Sequence, residues 1–110
     1  MYVQGLGFVV IGCFEDYDGF DGVMLGMHGA DYHFEFTCCR RQPIAPTPTP
    51  EDLIVLYLPS PLDWQARCES LEGAGFKEVR AHNPYWSVRG RSFEDADGYR
   101  VVVQNEEWVA

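Results

Sequence analysis

A proline-rich stretch near the middle of the chain limits what this sequence can fold into. Residues 39–51 contain four prolines and include the run P-T-P-T-P. Proline has no backbone N–H to donate within a helix or a central strand, so we expect an extended polyproline II spacer here. A docking segment for an aromatic groove is the alternative role. Regular structure must then form on both sides of the spacer, in residues 1–38 and 52–110.

The composition supports one compact domain and argues against several kinds of partner. With 110 residues, of which 46% are hydrophobic, the chain can build one core but not a catalytic domain plus a partner domain. Eight Lys and Arg against 17 Asp and Glu give a net charge of −9, which disfavours nucleic acid and anionic membranes as partners. No apolar run reaches the roughly 20 residues of a membrane span, and no signal peptide opens the chain. We therefore expect a cytoplasmic protein.

The cysteine spacing does not predict a structural zinc site. The four cysteines, at positions 13, 38, 39 and 68, include no C-x-x-C pair. Neighbouring cysteines rarely form a relaxed disulfide. We expect four reduced thiols that act mainly as small apolar side chains.

Hydrophobic periodicity predicts three strands in the first half of the chain. The segment 7–14 is short, β-branched and aromatic, which predicts a buried strand, and 23–27 predicts a second strand. The segment 32–37 alternates between apolar and polar residues. Its apolar side chains should pack on the core, whereas His33 and Glu35 should lie on a polar face.

The second half predicts a strand, a helix and three further strands. A strand at 53–58 is followed by a helix start, with Ser60 as the cap and Pro61 in the first turn. Apolar residues at helical spacing continue to a glycine-rich stop near Gly73. The three remaining strands are predicted at 76–80, 91–93 and 99–104.

The two halves resemble copies of one unit. The triplet L-G-F at 6–8 is similar to A-G-F at 74–76, and 32–37 is similar to 99–104, with offsets of 68 and 67. The second copy uses residues 52–74 for a strand and a helix, but the first copy has only six residues in that place. The first copy therefore lacks its first strand and most of its helix. Either the reading frame begins late or another chain supplies the strand.

Five stretches of the sequence resemble the vicinal oxygen chelate superfamily, which includes glyoxalase I, bleomycin resistance proteins and extradiol dioxygenases. They are L-G-F at 6–8, Y-H-F-E-F-T at 32–37, A-G-F at 74–76, N-P-Y-W at 83–86 and F-E-D-A-D-G-Y-R at 93–100. The resemblance implies an α+β fold in which two βαβββ modules form a curled mixed sheet with an open cleft. One domain, residues 1–110, would consist of module one (1–38), the spacer and module two (52–110). The resemblance also implies a homodimer.

The same resemblance implies where a metal would bind. Metal-dependent members hold a divalent ion with four ligands on the first and last strands of each module. The matching positions here are Glu35, Leu53 and Val102, and the first strand of module one has no counterpart. One carboxylate does not hold such an ion against water, so we expect no resident metal. The alternative is a metal-dependent lyase or dioxygenase that binds Mn, Ni, Zn or Fe through Glu35, with His33 or Gln104 recruited.

We expect the cleft to bind a small organic molecule, as in the antibiotic-sequestering members that the sequence resembles. Large aromatic residues at a cleft mouth suit a planar or apolar ligand, and polar groups on strand faces would orient it. The residues expected to bind this ligand are His33, Glu35, Tyr57, Tyr85, Trp86, Arg91 and Gln104. The alternatives are structural: a solvated His33–Glu35 pair, aromatic side chains that cap the core or hold a dimer contact, and an Arg91 paired with neighbouring acids. The sequence assigns no catalytic residue.

Overall fold

The computed structural model describes residues 1–109 and contains two β-sheets. A short helix, α1 (Tyr2–Leu6), opens the chain. It is followed by β1 (Val9–Tyr17), β2 (Phe20–Gly26) and β3 (His33–Cys39). These three strands form an antiparallel sheet in the order β1-β2-β3.

The second sheet has four strands and contains the one parallel pair within the described residues. Its strands are β4 (Leu53–Tyr57), β5 (Lys77–Val79), β6 (Gly90–Glu94) and β7 (Arg100–Gln104). They lie in the order β4-β7-β6-β5, and β4 runs parallel to β7. Two helices belong to this half, α2 (Pro61–Gly73) and α3 (Tyr85–Val88). The α+β class predicted from the sequence is confirmed.

The helix α2 begins and ends at the residues that the sequence indicates. The side chain of Ser60 accepts a hydrogen bond from the backbone N–H of Asp63 at 3.3 Å, which satisfies a donor that the first helical turn leaves free. Pro61 occupies the first turn, where its missing N–H costs nothing. After the last turn, Gly75 adopts a φ of +98°, a left-handed conformation that favours glycine. The helix is thus specified by local signals.

The hydrophobic core is shared by the two halves of the chain. Its buried members are Leu6, Phe8, Leu25, Cys68, Leu71, Phe76, Phe93, Val101 and Val103. The helix α1 packs closely on α2, because a Cβ at Gly5 would lie only 2.9 Å from the ring of Phe76 and 3.1 Å from Leu71. Each half therefore buries its apolar side chains against the other.

Alternation along the strands of the second sheet separates two faces. Ile54 and Leu56 pack against the core, so Tyr57 points to the opposite face. In the same way, Val101 and Val103 belong to the core, whereas Val102 and Gln104 point away from α2. We call this second face, which also carries Gly90 and Ser92 of β6, the cleft face.

The prediction that residues 7–14 form a buried strand is wrong. The strand β1 is longer, and Val9, Val10 and Ile11 are 52%, 58% and 56% exposed. The reason is the position of β1 at the edge of the three-stranded sheet, where part of its surface has no covering layer. A short β-branched run is compatible with either position, and periodicity alone does not distinguish them.

Two further segments differ from the sequence-based expectation. The strand β1 continues to Tyr17 and joins β2 through a tight hairpin, in which Asp18 and Gly19 have φ values of +53° and +88°. Positive φ at both central residues is typical of the hairpin turns that match strand twist. Residues 85–88, where the sequence analysis predicts no helix, form the short helix α3.

The proline-rich spacer connects β3 to β4 without helix or strand. Residues 40–52 contain only bends, a turn and extended chain. The spacer rests on the β6–β7 turn, because a Cβ at Gly98 would lie 3.0 Å from the ring of Pro48. The backbone N–H of Thr47 also donates to the hydroxyl of Tyr99 at 3.4 Å.

The first half is shorter than the second by the elements that the sequence comparison indicated. It has a five-residue helix where the second half has a 13-residue helix, and no strand precedes that helix in residues 1–109. Within this described range, β3 is paired on one side only, whereas its counterpart β7 is paired on both. None of the helices in the described part of the chain is long and apolar enough to cross a membrane.

Candidate functional site

Gln104, at the end of β7, is the most unusual polar residue of the cleft face. Its side chain is almost fully buried, with 1% exposed, and its Oε1 atom has no hydrogen-bond partner among residues 1–109. Its Nε2 atom lies 3.4 Å from Oε1 of Glu106, a long contact. A buried acceptor without a partner costs about 1–3 kcal/mol, and most buried polar groups are satisfied. Gln104 therefore carries a buried acceptor whose cost no contact in the described part of the chain offsets.

The neighbouring strands hold Gln104 in place. In the sheet register it lies between Tyr57 of β4 and Gly90 of β6. A side chain at position 90 would overlap Gln104 Oε1, and its Cβ would lie 2.8 Å from the backbone oxygen of Trp86. Glycine is required here because the amide of Gln104 occupies the space that a Cβ would fill.

The helix α3 covers one end of the cleft face. Asn83 Oδ1 accepts a hydrogen bond from the backbone N–H of Tyr85 at 3.0 Å, which starts the turn. The rings of Tyr85 and Trp86 then meet edge to face with centroids 5.0 Å apart. A cavity of about 190 Å³ lies beneath, lined by Tyr85, Val88, Arg89, Gln104 and Glu106. We call it the Gln104 cavity.

The charged residues of the Gln104 cavity favour a ligand that donates hydrogen bonds. The Glu106 carboxylate is 29% exposed, and its nearest cation is Arg89, whose Nε lies 3.8 Å away. That ion pair is loose, and the Arg89 side chain is 65% exposed, so the pair contributes little. A free amide acceptor and a weakly paired carboxylate together suit a ligand with N–H groups.

Four of the seven predicted ligand-binding residues meet at or beside this cavity. Tyr85 and Gln104 line it, Tyr57 neighbours Gln104, and the backbone of Trp86 lies beside Gly90. The sequence analysis did not identify Glu106. The signal that could have indicated it is its position two residues after the buried Gln104, at the exit of the last strand.

Arg91 lies on the opposite face of β6 and does not contribute to the cavity. Its guanidinium donates to Glu78 at 2.8 Å and 2.7 Å and to Glu72 at 2.7 Å, and it stacks 5.3 Å from the ring centroid of Phe93. The hydrogen bond from Arg91 lowers the pKa of Glu78, and the same bond raises the pKa of Arg91. Arg91 is thus paired with neighbouring acids, which is the structural alternative given by the sequence analysis. The prediction that it binds the ligand does not fit this position.

His33 and Glu35 lie together on β3, in the other sheet. His33 Nε2 is 3.0 Å from Glu35 Oε1, and the two side chains are 42% and 53% exposed. They do not line the Gln104 cavity. Glu35 instead lines a larger groove, of about 630 Å³, between β3 and β4.

The positions that the resemblance assigns to a metal do not form a suitable donor set. Glu35 is a carboxylate with His33 beside it, but Leu53 and Val102 have no donor atoms, and Val102 is fully buried on the cleft face. Residues 1–109 contain no group of three or more His, Cys, Asp or Glu side chains arranged to hold an ion. Hard divalent cations need several oxygen or nitrogen ligands, so these residues do not fit such a metal.

Comparisons with known proteins identify the family. The YycE-like N-terminal domain model matches residues 1–37, and the YycE-like C-terminal domain model matches residues 51–105. The chain belongs to the YycE-like family. An uncharacterised protein YycE of Bacillus subtilis (strain 168) is 41% identical over 109 residues, which cover 99% of this chain and 78% of that protein.

Solved structures place the YycE-like chain among proteins of the vicinal oxygen chelate fold. The crystal structure of the B. subtilis YycE protein matches with a TM-score of 0.90 over 99% of this chain and 80% of that one. That protein is described as of unknown function and, provisionally, as a glyoxalase/fosfomycin resistance protein. The trypanothione-dependent glyoxalase I of Leishmania major matches with a TM-score of 0.67 at 16% identity, over 96% of this chain and 73% of that one. The resemblance and the fold predicted from the sequence are confirmed.

Proposed function

We propose that this YycE-like protein binds a small organic molecule in the Gln104 cavity, without a resident metal. The observation that carries the proposal is the buried Oε1 atom of Gln104, which has no partner within residues 1–109 and belongs to a side chain that lines this cavity. A ligand N–H that bonds to this atom recovers the free energy that its burial costs.

The remaining lining residues of the Gln104 cavity suggest the shape and polarity of the ligand. The ring of Tyr85 and the side chain of Val88 offer apolar surface, and the carboxylate of Glu106 offers a second acceptor. A flat molecule with an amidine, guanidine or amide group would place its N–H donors on Gln104 and Glu106 and its apolar part under Tyr85. The acidic net charge of −9 favours the approach of a cation.

Benzamidine is a suitable probe because it combines an aromatic ring with a planar cation. Calorimetry should detect its binding, whereas benzoate, which has the same ring but no N–H donor, should not bind. Glu106→Gln removes a charge-assisted hydrogen bond worth ~1.5–3 kcal/mol, so the Kd should rise roughly 10- to 150-fold. The neighbouring Glu107→Gln is the matched control. Equal affinity of Glu106→Gln and wild type would refute this site.

Arg89 provides a second test of the same cavity. Its guanidinium is the cation nearest to Glu106, at 3.8 Å, and it competes with a cationic ligand for that carboxylate. Arg89→Ala should therefore lower the Kd of benzamidine by roughly two- to five-fold, the worth of an exposed ion pair. A weaker affinity in this variant would contradict the assigned position of the amidine.

The second candidate function is a metal-dependent lyase or dioxygenase. It is favoured by one observation, the contact of 3.0 Å between His33 and Glu35, which places two metal-ligating side chains together. Titration with Mn²⁺, Ni²⁺ and Zn²⁺ by calorimetry separates the two functions. Stoichiometric binding of a metal ion that Glu35→Gln abolishes would favour the enzyme. If the protein binds benzamidine but none of the three metal ions, the metal-free receptor is favoured.

We also propose that the protein is cytoplasmic and forms a homodimer. Two features support this: all four cysteines are free, as in a reducing compartment, and Val9, Val10 and Ile11 expose apolar surface on β1. Light scattering with size-exclusion chromatography tests the dimer. A monomer at about 100 µM, well above the Kd of a stable dimer, would contradict it.

A further inference from the structure

A second cavity adjoins the Gln104 cavity. The Gln104 cavity has a volume of about 190 Å³, whereas pockets for organic ligands commonly measure about 300–1,000 Å³. The second cavity has a volume of about 400 Å³ and shares the lining residues Val88 and Arg89 with the first. We call it the Trp64 cavity; its other lining residues are Trp64, Ser87, Gly90 and Asn105. A ligand too large for the Gln104 cavity would therefore extend past Arg89.

Hydrogen bonds fix the backbone between the two cavities. The backbone N–H of Asn105 donates to the carbonyl oxygen of Arg89 at 2.7 Å. The Nδ2 atom of Asn105 donates to two carbonyl oxygens just after β4, at 3.1 Å and 3.3 Å. The indole N–H of Trp64 donates to the carbonyl oxygen of Val103 at 2.9 Å. Because these bonds hold the surrounding walls in place, the side chain of Arg89 is the group that adjusts to a ligand.

Arg89 is more weakly paired than the other ion-paired arginines. Its contact with Glu106, at 3.8 Å, is the longest ion pair in the described part of the chain. The ion pairs of Arg40, Arg91 and Arg100 measure between 2.7 Å and 3.1 Å. An arginine side chain has five N–H donors and no acceptor. Arg89 therefore offers donors to an acidic group of a ligand.

The charge of the lining changes from one cavity to the other. The Gln104 cavity contains the carboxylate of Glu106, whereas no carboxylate lines the Trp64 cavity among residues 1–109. Arg89 is the one charged residue of that lining, and the hydroxyl of Ser87 adds a further donor. In a chain with a net charge of −9, this cavity therefore suits an acid rather than a second cation.

We propose that the ligand of the Gln104 cavity is dipolar, with a planar N–H cation at one end and a carboxylate at the other. This inference rests on the proposed function. The cation binds Glu106 and the Oε1 atom of Gln104, and the carboxylate binds Arg89 at the border of the Trp64 cavity. Arg89 then exchanges Glu106 for the carboxylate of the ligand, so each acid keeps one cation. Arg89 thereby determines specificity: it opposes a ligand that is only cationic and binds a dipolar one.

The test compares four probes by calorimetry on the full chain. Benzamidine has the amidine alone, 3- and 4-amidinobenzoate add a carboxylate to the same ring, and 4-amidinobenzamide adds an uncharged group of similar size. The two isomers differ in the distance between their charged groups. We expect at least one amidinobenzoate to bind about two- to five-fold more tightly than benzamidine, the worth of an exposed ion pair. The uncharged 4-amidinobenzamide should bind no more tightly than benzamidine.

Arg89→Ala should reverse the order of the probes. The variant should bind benzamidine more tightly, as expected above, and the preferred amidinobenzoate about two- to five-fold more weakly than wild type does. A general disturbance of the fold would change both Kd values in the same direction, so opposite changes report the contact itself. Arg41→Ala, which removes an exposed arginine of the spacer, is the matched control and should change neither Kd.

The outcomes separate this inference from the proposed function. If benzamidine binds and neither amidinobenzoate binds more tightly, the dipolar ligand is refuted while the proposed function stands. A tighter amidinobenzoate whose Kd does not rise in Arg89→Ala would place the carboxylate elsewhere and also refute it. If none of the four probes binds, the proposed function fails and this inference fails with it.

Discussion

Replacing Gln104 with methionine should stabilise the protein while it removes ligand binding. The native side chain buries an acceptor without a partner, which costs about 1–3 kcal/mol, and gains only a long contact to Glu106. Methionine has a similar length and shape and no polar atom, so it removes that cost without leaving a cavity. We expect a net gain of about 0.5–2 kcal/mol in the free energy of unfolding, after subtracting the lost contact.

Urea and thermal unfolding of wild type and Gln104→Met measure this gain. For a chain of this length, 1 kcal/mol corresponds to roughly 4 °C in Tm, so an increase of about 2–8 °C is expected. Gln42→Met, at an exposed position, is the control and should leave Tm unchanged. The same Gln104→Met protein should lose affinity for benzamidine. A lower Tm would refute the reasoning, because it would mean that the amide of Gln104 is satisfied and serves the fold.

Three further predictions concern the surroundings of the site. Gly90→Ala should lower the free energy of unfolding by about 1–3 kcal/mol, because the new Cβ would overlap Gln104 and approach the backbone of Trp86. Thermal unfolding measures this loss. Gly73→Ala is the control, because its Cβ would meet nothing within 4 Å, and it should be neutral or stabilising. Glu78→Gln should destabilise the protein more at pH 7 than at pH 3. Arg91 lowers the folded pKa of Glu78 below its ordinary 4.5, so the contribution of the ionised carboxylate is complete above the ordinary pKa and is lost as the pH falls through the folded pKa. Urea unfolding of wild type and variant at the two pH values measures this, with Glu69→Gln as the control. The prediction is contradicted if the difference in the free energy of unfolding between Glu78→Gln and wild type does not shrink at pH 3. Leu71→Ala should lower the free energy of unfolding by about 2–5 kcal/mol, because Leu71 is fully buried in the core that the two halves share. Leu62→Ala, at an exposed position, is the control. An equal loss in the two variants would be inconsistent with the shared core.

The elements that the sequence predicts well are those specified by nearby residues. The helix α2 has a cap, a proline in its first turn and a glycine after its end, and each of these acts within a few residues. The alternation of β3 predicts a mixed strand, and Phe34 does pack on the core with Glu35 away from it. Tyr32 and Phe36, which the same alternation places on the core, are 61% and 37% exposed, so that part of the prediction is wrong. The internal repeat predicts that residues 1–38 lack one strand of the unit, and within residues 1–109 β3 is paired on one side only.

The remaining features depend on contacts between distant residues. The exposure of β1 depends on which strand lies at the sheet edge, and the sequence of β1 does not contain that information. The place of Arg91 depends on Glu72 and Glu78, which come from α2 and β5. The Gln104 cavity requires Gly90 opposite Gln104, a pairing that only the β6–β7 register reveals. Sequence reasoning identified Tyr85 and Gln104 separately as candidates without indicating that they meet.

The core formed jointly by the two halves has a consequence for the history of the fold. Leu6, Phe8 and Leu25 come from before the spacer, and Leu71 and Phe76 come from after it, so neither half encloses a complete interior. If a duplication produced the two modules, each module now depends on apolar side chains of the other to complete its core. A gene split at the spacer should therefore yield two polypeptides that are insoluble alone and fold when they are expressed together.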